Sequence, residues 1–244
     1  MGRYGEAKTK LDAHQFHPWE GGEGKVPAQY QLARVELAKQ ALGQDLQEAI
    51  RLLQECLEYP HHLGEGKLYG AQENDFYYFL GCAYEQQGHT EEARACWEKA
   101  THGPQEPAAA MYYNDAKPDK IFYQGLALAQ LSALAEKEGM EEESCRLRGL
   151  ANGRFYKLIN YGKQHIFEKQ RMDYFAVSLP DLLIWEDSLD VKNRIHCLYM
   201  LALGYFGLGD KAHAEQYLHE VEQLDINHYG TIAFHSLMKM MENQ

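Results

Sequence analysis

The chain has 244 residues, 45% apolar and 25% charged, the balance of a globular protein able to bury a sizeable core. Its formal net charge is −12 with no run of lysine or arginine, which argues against nucleic acid, a partner that rewards clustered cations. No apolar stretch is long enough to span a bilayer, and the first ten residues lack the apolar core of a secretory signal.

The segment GRYGEA (2–7) reads as a turn running into a helix over residues 1–16. Ala7 and Leu11 share a face of that helix, with His14 next along it. A connection follows, HPWEGGEGKV (17–26), and then a helical pair over about 26–60. In that pair Ala49, Leu53 and Cys56 set a spacing that recurs: alanine, a large apolar residue four later, a small or aliphatic residue three after that.

GEGK returns in YPHHLGEGKL (59–68), 42 residues after its first copy. A phosphate loop needs GxxxxGK followed by Ser or Thr. Trp19 and His61 stand where the first glycine belongs, and Val26 and Leu68 where the hydroxyl belongs. The glycines are therefore read as serving backbone shapes closed to other residues. Glu23 and Glu65 are expected to cap the helix that follows them or to pair with a neighbouring lysine. The alternative is that they reach into a groove and bind ligand hydroxyls.

The next pair, over 72–104, carries Tyr77, Leu80, Gly81, Tyr84, Gly88, Ala93, Trp97 and Ala100. Gly81 and Ala93 are small enough for two helices to touch, Gly88 lets the chain reverse, and Thr90 with Glu91 and Glu92 starts the second helix. This pattern resembles the tetratricopeptide repeat (TPR), a helix–turn–helix unit that stacks on copies of itself.

The remaining elements continue the pattern. Over 118–162 the first helix matches at Ile121, Gly125, Leu128 and Ser132, with Gln124 where the motif has leucine, and the second at Ala151, Phe155 and Leu158. The pair over 191–225 matches at Leu198, Leu201, Ala202, Tyr205, Gly209, Ala214, Leu218 and Val221. A last helix over 228–243 is expected to seal the stack with Ile232, Ala233, Leu237, Met240 and Met241. The expected fold is all-α: one right-handed TPR-like helical-hairpin solenoid with long inter-repeat loops along one edge. A half repeat at the N-terminus leaves a helix without its partner, so the chain is expected to be a C-terminal fragment of a longer protein.

Candidate binding residues follow from the repeat. Asp75 and Asp119 occupy the same position at the starts of two first helices, a place that lies on the inner wall of a TPR groove. An acid there also favours a helix N-terminus without any ligand. Tyr78 and Phe122 are placed beside them, and Trp19, Glu23 and Glu65 on the loops. MYYND (111–115) adds Tyr112, Asn114 and Asp115, aromatic faces beside amide and carboxylate groups that suit a sugar ring. Paired carboxylates could also act in glycoside hydrolysis at separations of roughly 5–9.5 Å. The pairs His14/His17, His61/His62 and His213/His219 form no known metal-ligand set, and no nucleophile motif is present. Five cysteines without a CxxC pair read as reduced, packed thiols. No catalytic residue, metal or cofactor is assigned.

HPWEGGEGKV, YPHHLGEGKLYGAQEND, AMYYNDAKPDKIFYQGLA and DYFAVSLPDLLIW together resemble the C-terminal repeat region of large bacterial proteins that carry an upstream β-sandwich domain related to sugar-mutarotase-like folds. That resemblance implies a cytoplasmic bacterial protein with a link to carbohydrate metabolism. The first functional expectation is an interaction module whose groove holds a partner segment or its own upstream domain. The alternative is a carbohydrate-binding or glycoside-hydrolase-like region. A third reading is a structural region that packs on the missing domain.

Overall fold

The structure, a computed structural model, describes residues 2–18, 24–109, 118–170 and 188–242. Among these residues are ten α-helices and no strand: α1 (Tyr4–Ala13), α2 (Lys25–Ala41), α3 (Leu46–Cys56), α4 (Asn74–Gln86), α5 (Thr90–Ala100), α6 (Pro118–Lys137), α7 (Glu141–His165), α8 (Leu189–Gly207), α9 (Lys211–Leu224) and α10 (Tyr229–Glu242). The fold is all-α and TPR-like.

Three hairpins turn in the same way. Gly88, Gly139 and Gly209 have φ of 78°, 75° and 84°, left-handed values that cost a side-chain-bearing residue. After each glycine the next amide reaches back to the last helical turn: His89 N–H to Tyr84 O, Met140 N–H to Ala135 O and Asp210 N–H to Tyr205 O, each at 2.9 Å. This is the Schellman reversal, which satisfies carbonyls a helix end would otherwise leave open.

The α6–α7 hairpin is the long one, and its length has a simple form. Asp119 lies 20 residues before Gly139, where Asp75 lies 13 before Gly88; Ala151 lies 12 after Gly139, where Ala93 lies five after Gly88. Each arm has gained seven residues, about two helical turns. Faces are therefore preserved, and the added turns carry their own contact: Ser132 Oγ donates to Ser144 O at 2.8 Å between two buried side chains.

The helices gather into two compact units, Met1–Cys96 with Ala233–Gln244, and Trp97–Ile232. In the first, α1 packs on α2, α2 on α3 and α3 on α4. In the second, α6, α7, α8 and α9 pack in succession and α6 also meets α8. The recurrent spacing marks the core. Ala49, Leu53, Cys56, Ala93, Trp97, Ala100, Ala151, Phe155, Leu158, Ala214, Leu218 and Val221 are all buried. Ala7 and Leu11 on α1 are only half-buried, and no residue of α1 is fully buried.

Two expectations are corrected. The buried face of α10 is Thr231, Phe234, Leu237 and Met240, while Ile232 and Met241 are exposed and Ala233 is intermediate. The error was one of phase along the helix. Of the five cysteines, which form no disulfide, Cys145 is exposed on α7 rather than packed.

Candidate interaction site

The two glycine-rich connections meet in the first unit. Gly24 N–H donates to Glu65 Oε2 at 2.7 Å, and Gly24 is the left-handed residue that caps α2. Glu65 therefore serves a helix N-terminus, but that of α2, which follows the first GEGK copy rather than its own. A carboxylate suits the positive end of α2. An incoming phosphate would find that end already occupied by an anion, so the phosphate-loop reading fails on structure as well as on motif. Behind it, Phe16 N–H donates to His62 O at 2.8 Å. Gly64 is so close that an added β-carbon would sit 2.8 Å from Phe16 O. Lys67 pairs with Glu73 at 2.5 Å and donates to Leu57 O at 3.3 Å, closing the second loop onto its own repeat.

Charged residues inside α2 were not anticipated. Arg34, Glu36 and Lys39 are buried at 2%, 1% and 5% exposure, and groups of this kind are almost never so buried unless paired. Arg34 forms ion pairs with Asp12 of α1 and with Glu55 of α3, the latter at 2.8 Å. Its guanidinium also lies 3.4 Å from the centroid of the Tyr30 ring. One residue thus ties three helices through the planar fork that distinguishes arginine from lysine. Burial works against ionisation of Asp12, but Lys8 and Arg34 outweigh it and hold that carboxyl below its usual range.

One turn on, Lys39 pairs with Glu36 and donates to Ala233 O of α10 at 3.0 Å. Its ammonium stands 5.9 Å from the centroid of the Phe79 ring. Burial pushes the Lys39 ammonium down, against the upward pull of Glu36 and Asp75. Glu36 Oε2 is buried and has no hydrogen-bond partner. The signal in the sequence was the run Arg34-Val-Glu36-Leu-Ala-Lys39, where charges fall inside an otherwise apolar helix.

The sequence-chosen residues divide three ways. Asp75 is in the first turn of α4, partly exposed, and electrostatically coupled to Lys39. Tyr78, on the same helix, is 2% exposed and packs edge-on to Phe79; it presents no face to solvent. In the second unit Asp119 is partly exposed in the first turn of α6. Phe122 is 1% exposed among Tyr123, Phe155 and Phe206. Trp19, Glu23, Tyr112, Asn114 and Asp115 lie outside the described residues, as does DYFAVSLPDLLIW. Among the described residues no group of three or more His, Cys, Asp or Glu is placed to hold a metal.

The second unit has its own polar clamp. Gln124, with no exposed surface, donates to Pro104 O at 2.8 Å and to His102 O at 3.3 Å. Its carbonyl accepts from Arg154 Nε at 2.9 Å. The residue that departs from the repeat motif is thus the one that pins the connection after α5. Farther along that connection, His196 Nε2 donates to Ala108 O at 2.8 Å, and burial holds the imidazole below its ordinary pKa.

With this geometry in view, a family model described as tetratricopeptide repeat matches residues 75–101, which span α4 and α5. Repeats of this kind generally mediate protein–protein binding. No solved structure gives a significant match to the chain, and no helix among the described residues is long and apolar enough to cross a membrane.

Proposed function

We propose that the chain is a protein-interaction module that holds a segment of a partner, or a neighbouring domain of its own polypeptide, against the first helices of its repeats. The observation that carries this reading is the tetratricopeptide match over α4 and α5. In the first unit those first helices are α2 and α4, with the partly exposed Asp75 in the first turn of α4. An acidic chain with a formal charge of −12 favours basic partners through long-range attraction. The resemblance of its connections to bacterial multidomain proteins supports a cytoplasmic bacterial setting with a link to carbohydrate metabolism.

The test is to pan a randomised peptide library against the immobilised chain and to measure the selected peptides by fluorescence anisotropy. Lys- or Arg-containing peptides are expected to bind, and Asp75→Lys is expected to weaken them about tenfold, roughly 1.4 kcal/mol. A library that yields no binder, or binders indifferent to Asp75→Lys, overturns the assignment of this face.

A further inference from the structure

Residues 102–109, the connection after α5, form neither helix nor strand. The helices of the second unit hold this segment at every second residue. His102 O and Pro104 O accept from Gln124 of α6 at 3.3 and 2.8 Å. The Glu106 carboxylate pairs with Lys157 of α7. Ala108 O accepts from His196 Nε2 of α8 at 2.8 Å. Arg154 Nε, 2.9 Å from Gln124 Oε1, fixes the amide that reads the first two carbonyls, and the same guanidinium lies within electrostatic reach of Glu106.

Three successive helices thus read one segment, and what they read is mostly backbone: carbonyls, which any sequence offers, and one acid. Pro104 and Pro107 have no N–H to leave unsatisfied, and they favour extended backbone in themselves and in the residue before each. Six residues of such chain reach about 20 Å, enough to cross neighbouring helices whose axes lie about 8–10 Å apart. Extended peptide ligands are held in this manner, with main-chain bonds for affinity and alternate side chains for specificity. The segment gives little to the core. Residues 102–106 are exposed, and Thr101, Pro107, Ala108 and Ala109 are only half-buried. The helices beneath carry their own contacts, Phe122 against Phe155 and Phe206.

We propose that α6, α7 and α8 form a recognition track for a non-helical peptide segment with carbonyl acceptors at alternate residues and an acid between them, and that its occupant is this chain's own connection, residues 102–108, bound as a ligand in cis. Gln124, Lys157 and His196 are the residues that read it, and Arg154 positions Gln124. The tether supplies the effective concentration that lets a few polar bonds suffice. The proposal is independent of the basic-partner reading, whose test turns on Asp75.

A synthetic peptide with the sequence of residues 101–109 serves as the probe, titrated by NMR into the full chain and into a full chain whose residues 102–108 are replaced by glycine and serine at equal length. The replaced chain is expected to bind the peptide about tenfold tighter than the unaltered one, whose own segment fills the track. A peptide carrying Glu106→Lys is expected to bind about fivefold more weakly. No binding, equal affinity for both chains, or indifference to the lysine would overturn the proposal. A second variant decides the matter even where the replaced chain fails to fold. Glu106→Lys in the full chain, at an exposed site, is expected to speed proteolysis between residues 101 and 109 about fivefold while hydrogen exchange of α6, α7 and α8 stays as it was. Helices that lose protection with the segment would make it part of the core, and cleavage at the parent's rate would mean that the acid is not read. Either result sinks the track.

Discussion

The Phe155 ring lies against the backbone of Gly207, where an added β-carbon would stand 2.2 Å from Phe155 Cδ1. On α6, Gly125 is nearly as close, with its added carbon 2.4 Å from Phe155 Cε1. The ring of α7 therefore occupies a slot between α6 and α8 that only two glycines leave open. Real β-carbons do not approach so closely, and a core that must move to admit one typically loses about 1–3 kcal/mol.

Gly125→Ala and Gly207→Ala are each expected to lower stability by that amount, although alanine favours a helix interior by about 1 kcal/mol. Gly149→Ala, on the exposed side of α7 with nothing near its added carbon, is expected to raise stability by about 0.5–1 kcal/mol. Urea denaturation of the three variants checks this. A gain in stability from Gly125→Ala and Gly207→Ala, like that from Gly149→Ala, would show that the slot is not tight.

Gln124→Leu restores the residue the repeat motif has at this place, and it is expected to fail. The amide satisfies Pro104 O and His102 O and receives Arg154. Leucine would remove three part-buried hydrogen bonds that hold this connection, each worth about 0.5–1.5 kcal/mol. A loss of stability together with faster proteolysis between residues 101 and 109 is the outcome to look for. A variant as stable as the parent would mean that the connection does not depend on the clamp.

This pair of cases shows where the sequence was readable. The alanine-led spacing works because a small residue and a large one four later share a helical face and must both be buried. Gly88 and Gly209 were legible as turns because the hairpins around them are short. Gly139 does not stand out in the sequence because seven extra residues on each arm move it out of the motif's spacing. Non-local polar contacts left no local trace: Glu65 acts on Gly24, 41 residues away, and Lys39 on Ala233, 194 away. Tyr78 and Phe122 were chosen for the groove by their place in the repeat, yet burial depends on neighbours that a single motif does not name.

Glu65→Ala removes the carboxylate from the start of α2. A lost side-chain cap costs about 1 kcal/mol in general, and here the loss falls on one helix end. Amides in the first turn of α2 are expected to lose hydrogen-exchange protection while those of α4 keep theirs. Glu65→Gln, which keeps an acceptor without charge, is expected to recover part of the protection. Uniform protection in the alanine variant would show that Gly24 needs no acceptor.

Two histidines are expected to make stability depend on pH near neutrality. His228 precedes α10, and its Nδ1 accepts from Thr231 N–H at 3.2 Å. A protonated ring cannot accept there, so the cap requires the neutral form. Burial holds both His228 and His196 below the ordinary histidine value of 6.5. A group whose pKa is lower folded than unfolded favours the unfolded chain once protons bind. The contribution is therefore complete above about pH 7 and is lost as pH falls below the unfolded pKa of about 6.5 toward the folded one. Carboxylates held low by their partners, such as Asp12 and Asp210, lose their contribution only near pH 4 and below, outside this window. The urea midpoint is expected to fall between pH 7.5 and 5.5, and His228→Asn, a helix cap that does not titrate, to flatten the slope. A midpoint that stays level or rises on acidification, or an asparagine variant as pH-sensitive as the parent, would remove His228 from the account.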